Sequence, residues 1–173
     1  MLEELKRSDF DAFYCLMERS FPTDEYRPKE EQLALLEDRR YRIYGCFTPE
    51  GSLAAFLAVW AFEDFSFLEH FAVDPVRRNG GLGSAALREL SEKLEKPLCL
   101  EVELPEGELP RRRIGFYERN GFCYNDYPYV QPPISRGKQP VPLRIMSWGT
   151  PLEEEAFRHI RDTLYSQVYH VNA

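Results

Sequence analysis

Phe10, Phe13, Tyr14, Met17 and Phe21 recur three and four positions apart, so the first twenty residues read as an amphipathic helix, with Ser8 and Asp11 placed to cap it. Pro22 interrupts the pattern, and "FPTDEYRP" (21–28) reads as a loop before a short second helix bearing Leu33, Leu35 and Leu36. The period then changes. "YRIYGCF" (41–47), the turn "TPEG" (48–51) and "SLAAFLAVWAF" (52–62) form a hairpin signal, and "FSFLEHFAV" (65–73) is a further strand beyond the break at Glu63 and Asp64. Leu82, Ala86, Leu90 and Leu94 mark one face of a helix, and "PLCLEVEL" (97–104) is the next strand. A loop "PEGELP" leads into a helix over 111–122 ending at Gly121. Two aromatic-rich strands follow, near 122–130 and 141–148, on either side of the loop "QPPISRGKQP" (131–140). Thr150, Pro151 and Glu153 then open a last helix with Phe157, Ile160, Leu164 and Val168 on its buried face.

Hairpin-joined strands are antiparallel, whereas the strand–helix–strand unit over 65–104 calls for a parallel neighbour pair. The expectation is a mixed-sheet α/β protein. No repeat or long linker divides the chain, so residues 1–173 read as a single domain. A composition of 43% hydrophobic and 29% charged residues is that of a folded chain. A net charge of −7 argues against general nucleic-acid binding, which depends on neutralising phosphates. It is compatible with cationic small substrates. Cys15, Cys46, Cys99 and Cys123 are far apart, with no C-x-x-C and no nearby histidine at metal spacing, and read as four small buried hydrophobes in a reducing cytoplasm. The opening "MLEELKRSDF" is charged, and no apolar run approaches the ~20 residues of a membrane span.

The stretch with most chemistry is "VDPVRRNGGLGSAAL" (73–87), where two arginines and three glycines run into a helix. Glycines let main-chain N–H groups approach an anion closely, and a helix N-terminus adds partial positive charge, so a phosphate-bearing ligand is expected. A nucleotide P-loop is excluded, because no Gly-Lys-Ser/Thr follows. Gly81-x-Gly83-x-x-Ala86 fits a dinucleotide fingerprint, with Glu101 and Glu103 about where its ribose ligand would stand. Against that reading, Asp74 to Asn79 separate strand from glycines, and the remaining strands are mostly antiparallel.

Arg78-x-x-Gly81-x-Gly83 resembles the Q/R-x-x-G-x-G/A segment of the GNAT superfamily, the GCN5-related N-acetyltransferases. "FAVDP" resembles the family's strand ending in V-x-P. "IGFYERNGF" (114–122) resembles its later F-Y-x-x-x-G-F segment, and the order of elements over residues 8–148 agrees. The resemblance implies a mixed, mostly antiparallel sheet of six to seven strands flanked by helices and splayed at a central parallel pair. It also implies acetyl-CoA as cosubstrate and an amine as acceptor, attacked directly in a ternary complex, with no metal and with a monomer or homodimer as the working state. The same fold would also serve a non-catalytic acyl-CoA sensor or interaction module.

By that resemblance the main chain of Phe71, Ala72 and Val73 would pair with the pantetheine arm. Arg77, Arg78, Asn79, Gly80, Gly81, Leu82, Gly83 and Ser84 would hold the pyrophosphate. Acetyl transfer from a thioester needs an amine without its extra proton, a donor for the developing oxyanion and a thiolate that can leave. Tyr117 stands at the family's tyrosine acid; alternatively it packs like Phe116. Two carboxylates compete as base or amine-binding group. Strand alternation places Glu69 with Phe67, Phe71 and Val73 on one face and turns His70 to the other. Glu101 occupies the glutamate of the "L-E-V" carried by some members, and Glu103 shares its face. Pro110 stands where many relatives have a cofactor-contacting asparagine, and Arg111, Arg112 and Arg113 either meet the cofactor's phosphates or form a solvated basic face. Asp24, Glu25, Glu103 and Tyr129 are the candidates for binding the acceptor, with Tyr124 and Tyr127 as aromatic walls.

Overall fold

The computed structural model describes residues 1–172. It divides into two compact units, one formed by Met1–Pro22 and Pro28–Leu98, the other by Thr23–Arg27 and Cys99 onward.

In the first unit, β1 (Glu3–Glu4), β2 (Tyr41–Phe47), β3 (Leu53–Ala61) and β4 (Ser66–Val73) lie in that order, every pair antiparallel. The hairpin read over 41–62 is present. Its turn is closed by the Gly51 N–H donating to the Thr48 carbonyl at 2.9 Å, with Gly51 at φ 85°, a backbone state that glycine adopts without cost. The three helices of this unit are α1 (Phe10–Ser20), α2 (Lys29–Ala34) and α3 (Leu82–Lys93). Phe13 of α1 meets Phe56 of β3 edge to face, ring centroids 4.7 Å apart, which fixes α1 on that side of the strands. The cap differs from expectation. Asp9, not Ser8 or Asp11, reaches back to the Lys6 N–H at 2.9 Å within a 3-10 turn (Arg7–Asp9), and α1 starts beyond it.

The second unit has β5 (Leu98–Glu103), β7 (Val141–Trp148) and β6 (Phe122–Gln131) in the order β5-β7-β6, both pairings antiparallel. With β1 to β4 this makes seven strands and five α-helices among the described residues, a mixed α/β chain of the class expected. Helix α4 (Glu108–Arg119) begins three residues before the predicted start, because Pro110 sits in its first turn, where no N–H is needed. Helix α5 (Glu154–Gln167) begins later than predicted. Thr150 is not its cap; the Thr150 carbonyl accepts the Ser147 hydroxyl at 2.6 Å. Buried Asn125 holds the segment ahead of α5, its Oδ1 accepting the Leu152 N–H at 2.8 Å and its Nδ2 donating to the Ile145 carbonyl at 3.0 Å.

Candidate active site

In the first unit, β4 runs directly into the glycine segment. Asp74 closes the turn by accepting the Val76 N–H at 3.2 Å, and Arg78 Nε donates to the Val73 carbonyl at 3.1 Å, so the chain folds back on the strand end. Asn79 (φ 67°) and Gly81 (φ 80°) are both left-handed, and Gly81 is the residue ahead of α3. The first helical bond is Ala85 N–H to the Gly81 carbonyl at 3.0 Å. Among the described residues, the N–H groups of Asn79, Gly80, Gly81, Leu82, Gly83 and Ser84 are therefore given to no main-chain carbonyl. Six consecutive N–H donors at a helix N-terminus make an anion cradle. A Cβ on Gly81 would have nothing within 4 Å and one on Gly80 only the Arg77 carbonyl at 3.9 Å, so the cradle is open. The residues fit a pyrophosphate, and Arg77 and Arg78 lie exposed beside it.

Upstream, β4 departs from the predicted alternation. Val59 of β3 faces Leu68 and Ala58 faces His70, leaving Glu69 without a cross-strand partner: a β-bulge. The extra residue resets the faces. Phe67, His70 and Ala72 share one face with Trp60, Ala58 and Phe56, while Leu68, Phe71 and Val73 share the other with Val59, Leu57 and Ala55. The expected placing of Phe67 on one face with Phe71 and Val73 is thus incorrect, whereas His70 does stand on the face opposite to Phe71 and Val73. Glu69 Oε2 lies 3.5 Å from His70 Nδ1, and the two side chains are 1% and 3% exposed. Phe21 packs edge-on against the His70 ring at 4.9 Å. Glu69 as a whole residue is only half-buried, so the surface it offers to solvent is main chain. Phe71 and Val73 are half-buried as well, and Ala72 is buried.

In the second unit, the candidates Glu101 and Tyr129 come together. Glu101 pairs with Ile145 and Ile145 with Asn125, Glu103 pairs with Leu143 and Leu143 with Tyr129, so all four outer residues share a face. The Tyr129 hydroxyl donates to Glu101 Oε1, and the Tyr169 hydroxyl lies 2.8 Å from Oε1 and 2.9 Å from Oε2. Burial, then the negative charge of Glu101, pushes the Tyr129 phenol well above its ordinary range. Tyr169 was missed in the sequence, where 68 residues separate it from Glu101. Glu103 is engaged by Arg113 of α4. Arg111 Nε donates to the Gly107 carbonyl at 3.0 Å, and all three arginines are exposed. Asp24 accepts the Gln139 N–H at 3.0 Å while Lys138 Nζ donates to the Thr23 carbonyl at 2.5 Å, so this acid ties 23–27 to the 131–140 loop. Glu25 is half-buried.

Tyr117, on the inner face of α4, is 8% exposed, with its ring edge-on to Phe116 at 5.4 Å and Phe122 at 5.6 Å. Burial pushes its phenol up to about 12, against a small opposing effect of Arg113. The folded state thus holds this proton more tightly than the unfolded chain, whose tyrosines titrate near 10. The resulting stability is complete below pH ~10 and is lost as pH rises through about 12, by roughly 3 kcal/mol in all. Denaturant unfolding at pH 8 to 12 should show this fall, and Tyr117→Phe should flatten it. An identical alkaline slope in the variant would contradict the shift.

Among the described residues, no group of three or more His, Cys, Asp or Glu side chains is placed to hold a metal ion, and no helix is long and apolar enough to cross a membrane.

A strand delivering a glycine-rich anion cradle to a helix is consistent with the acetyltransferase class already suggested by the two motifs. The family model of the Acetyltransferase (GNAT) family matches residues 3–122, and the chain belongs to that family. A solved GNAT-family protein from Bacteroides thetaiotaomicron is 34% identical, with 99% of each chain covered and a TM-score of 0.87. The ribosomal-protein-S18-alanine N-acetyltransferase of Escherichia coli is 25% identical, with 90% of this chain and 96% of that one covered and a TM-score of 0.64. A variant of the spermidine N-acetyltransferase of Vibrio cholerae shares the fold at 15% identity, with 86% and 94% covered and a TM-score of 0.63. No curated protein matches the chain. The dinucleotide-binding alternative falls with these findings.

Proposed function

We propose that the protein is an acetyl-CoA-dependent N-acetyltransferase whose acceptor is a primary amine, on a small molecule or a peptide. The observation that carries the reading is the run of six free main-chain donors at 79–84, which matches a pyrophosphate and has no structural use of its own. Likeness to the ribosomal-protein-S18-alanine N-acetyltransferase supports an amine acceptor. The single-domain organisation belongs to the same proposal, supported by a family match running through residues 3–122 and a structural match over 99% of the chain. So does a cytoplasmic location, in keeping with four free cysteines, of which Cys46 and Cys99 are buried as expected while Cys15 is exposed and Cys123 half-buried.

When bound, acetyl-CoA supplies the activated acetyl group. Asn79 to Ser84 bind its pyrophosphate through N–H groups, and Arg77 and Arg78 add charge-assisted hydrogen bonds. The exposed main chain of β4 at Glu69, Phe71 and Val73 offers hydrogen bonds to the amide-bearing arm. Tyr117 keeps its proton at every working pH and donates a hydrogen bond to the departing sulfur. Glu101 presents negative charge to the amine; Glu69, beside His70, is the second carboxylate able to take up its proton. Glu103 and Asp24, each with a partner of its own, shape the acceptor region more than they bind in it, with Glu25 and Tyr129.

Thermal unfolding with acetyl-CoA, CoA, NADH and ATP, each alone at saturation, tests the reading. A ligand at about 100 times its Kd adds roughly 2.7 kcal/mol, which raises Tm by about 5–10 °C for a chain of this size. Acetyl-CoA and CoA should do so and the others should not. Absence of a shift with either would break the proposal.

A further inference from the structure

We propose that Tyr169 is a positioning residue that, together with Tyr129, holds the Glu101 carboxylate in one plane and in its charged form for the amine. The residue lies beyond 3–122, the span of the family match. What Glu101 does for an amine rests on the acetyl-transfer reading; how it is held does not.

The last turn of α5 is built to deliver this side chain. Val168 and Tyr169 both donate their N–H to the Leu164 carbonyl, at 2.9 and 3.0 Å, and the Val171 N–H returns to the Tyr165 carbonyl at 2.8 Å. The return is made through His170 at φ 56°, a left-handed state unusual for a residue other than glycine. Tyr169 is thereby fixed, 6% exposed, with its hydroxyl across both oxygens of Glu101. Tyr129, 3% exposed, donates to the same carboxylate from β6. The terminal torsion of a glutamate is soft, and two donors from different elements stop its rotation. Hydroxyl donors to a carboxylate also favour its ionised form. Titratable groups around it include Tyr165 of α5, whose hydroxyl is given to the Val130 carbonyl at 2.6 Å, buried Cys99 two residues earlier on β5, and Glu103 two residues later, itself held by Arg113.

The test is carboxyl 13C NMR of the glutamate-labelled full chain, with the Glu101 signal assigned through Glu101→Gln. It is run beside steady-state acetyl transfer from acetyl-CoA to an amine panel. Tyr169→Phe keeps the ring, and Tyr129→Phe removes the other hydroxyl as an independent variant. In each, the midpoint of the Glu101 titration should rise by about one pH unit, and kcat should fall about tenfold with KM for acetyl-CoA unchanged. An unmoved midpoint in folded variants of an active enzyme overturns the proposal alone. A raised midpoint with no acetyl transfer by the wild-type chain overturns the transferase reading, and the catalytic sense of the proposal with it.

Discussion

Replacing Tyr117 by Phe should lower kcat for acetyl transfer by about 10²–10⁴ while leaving KM for acetyl-CoA nearly unchanged, the range set by losing a positioned proton donor. Among the described residues no hydrogen bond occupies the Tyr117 hydroxyl, and it is not among the sealed polar atoms, so its donor is available. The ring contacts with Phe116 and Phe122 survive in the variant, which should therefore keep its Tm at neutral pH. The upward shift of the phenol decides what the group does. A thiol titrates near 8.5, so full transfer from a phenol at about 12 is uphill by roughly 5 kcal/mol, and a hydrogen bond to the sulfur is the more accessible service. The rate should then show no alkaline limb from Tyr117 below pH ~10. Release of CoA, followed with a thiol reagent across pH 6 to 10, measures both effects. A kcat within threefold of wild type would assign Tyr117 to packing.

What the sequence revealed and what it concealed divide along physical lines. The 77–84 segment was legible because its chemistry is main-chain: Gly81 needs a positive φ, and close approach of N–H groups to an anion leaves glycine as the signature. Long periodic elements were legible for the same kind of local reason. The two-residue β1 was not, since two exposed residues carry no alternation. Nor was the bulge at Glu69, where nothing in "FLEHFA" marks an inserted residue and a single extra position inverts every face beyond it. Helix starts were misplaced at Ser8, where the neighbouring Asp9 takes the cap, at Arg111, where Pro110 is accommodated in the first turn, and at Thr150, where Ser147 and Asn125 hold the segment ahead of the helix. Tyr169 was hidden by distance: a hydroxyl brought to a carboxylate from 68 residues away leaves no local pattern. The sequence therefore exposed the part of the site that binds and obscured the part that orients.

The bulge and the tyrosine pair together bear on the choice between the two carboxylates, and Glu101→Gln should lower kcat by about 10²–10⁴, well beyond the effect of Glu69→Gln. The Glu69 side chain is 1% exposed beside His70, so it can reach an acceptor only through a neighbour or water, and its amide should retain at least about a tenth of the wild-type rate. Glu101 is half-buried, and its carboxyl group is held by two hydroxyls. In the Gln variant the charge is gone, and one of two phenol donors must face an N–H₂ group that cannot accept. The second effect should cost about 1–3 kcal/mol of stability, so unfolding free energies have to be measured with the rates. Tyr129→Phe separates the two, since it removes one donor and leaves the charge. If Glu101→Gln is destabilised but as fast as that variant, the cluster is structural. If instead Glu69→Gln is the slower enzyme, proton removal belongs to the β4 bulge, with His70 as the group through which it passes.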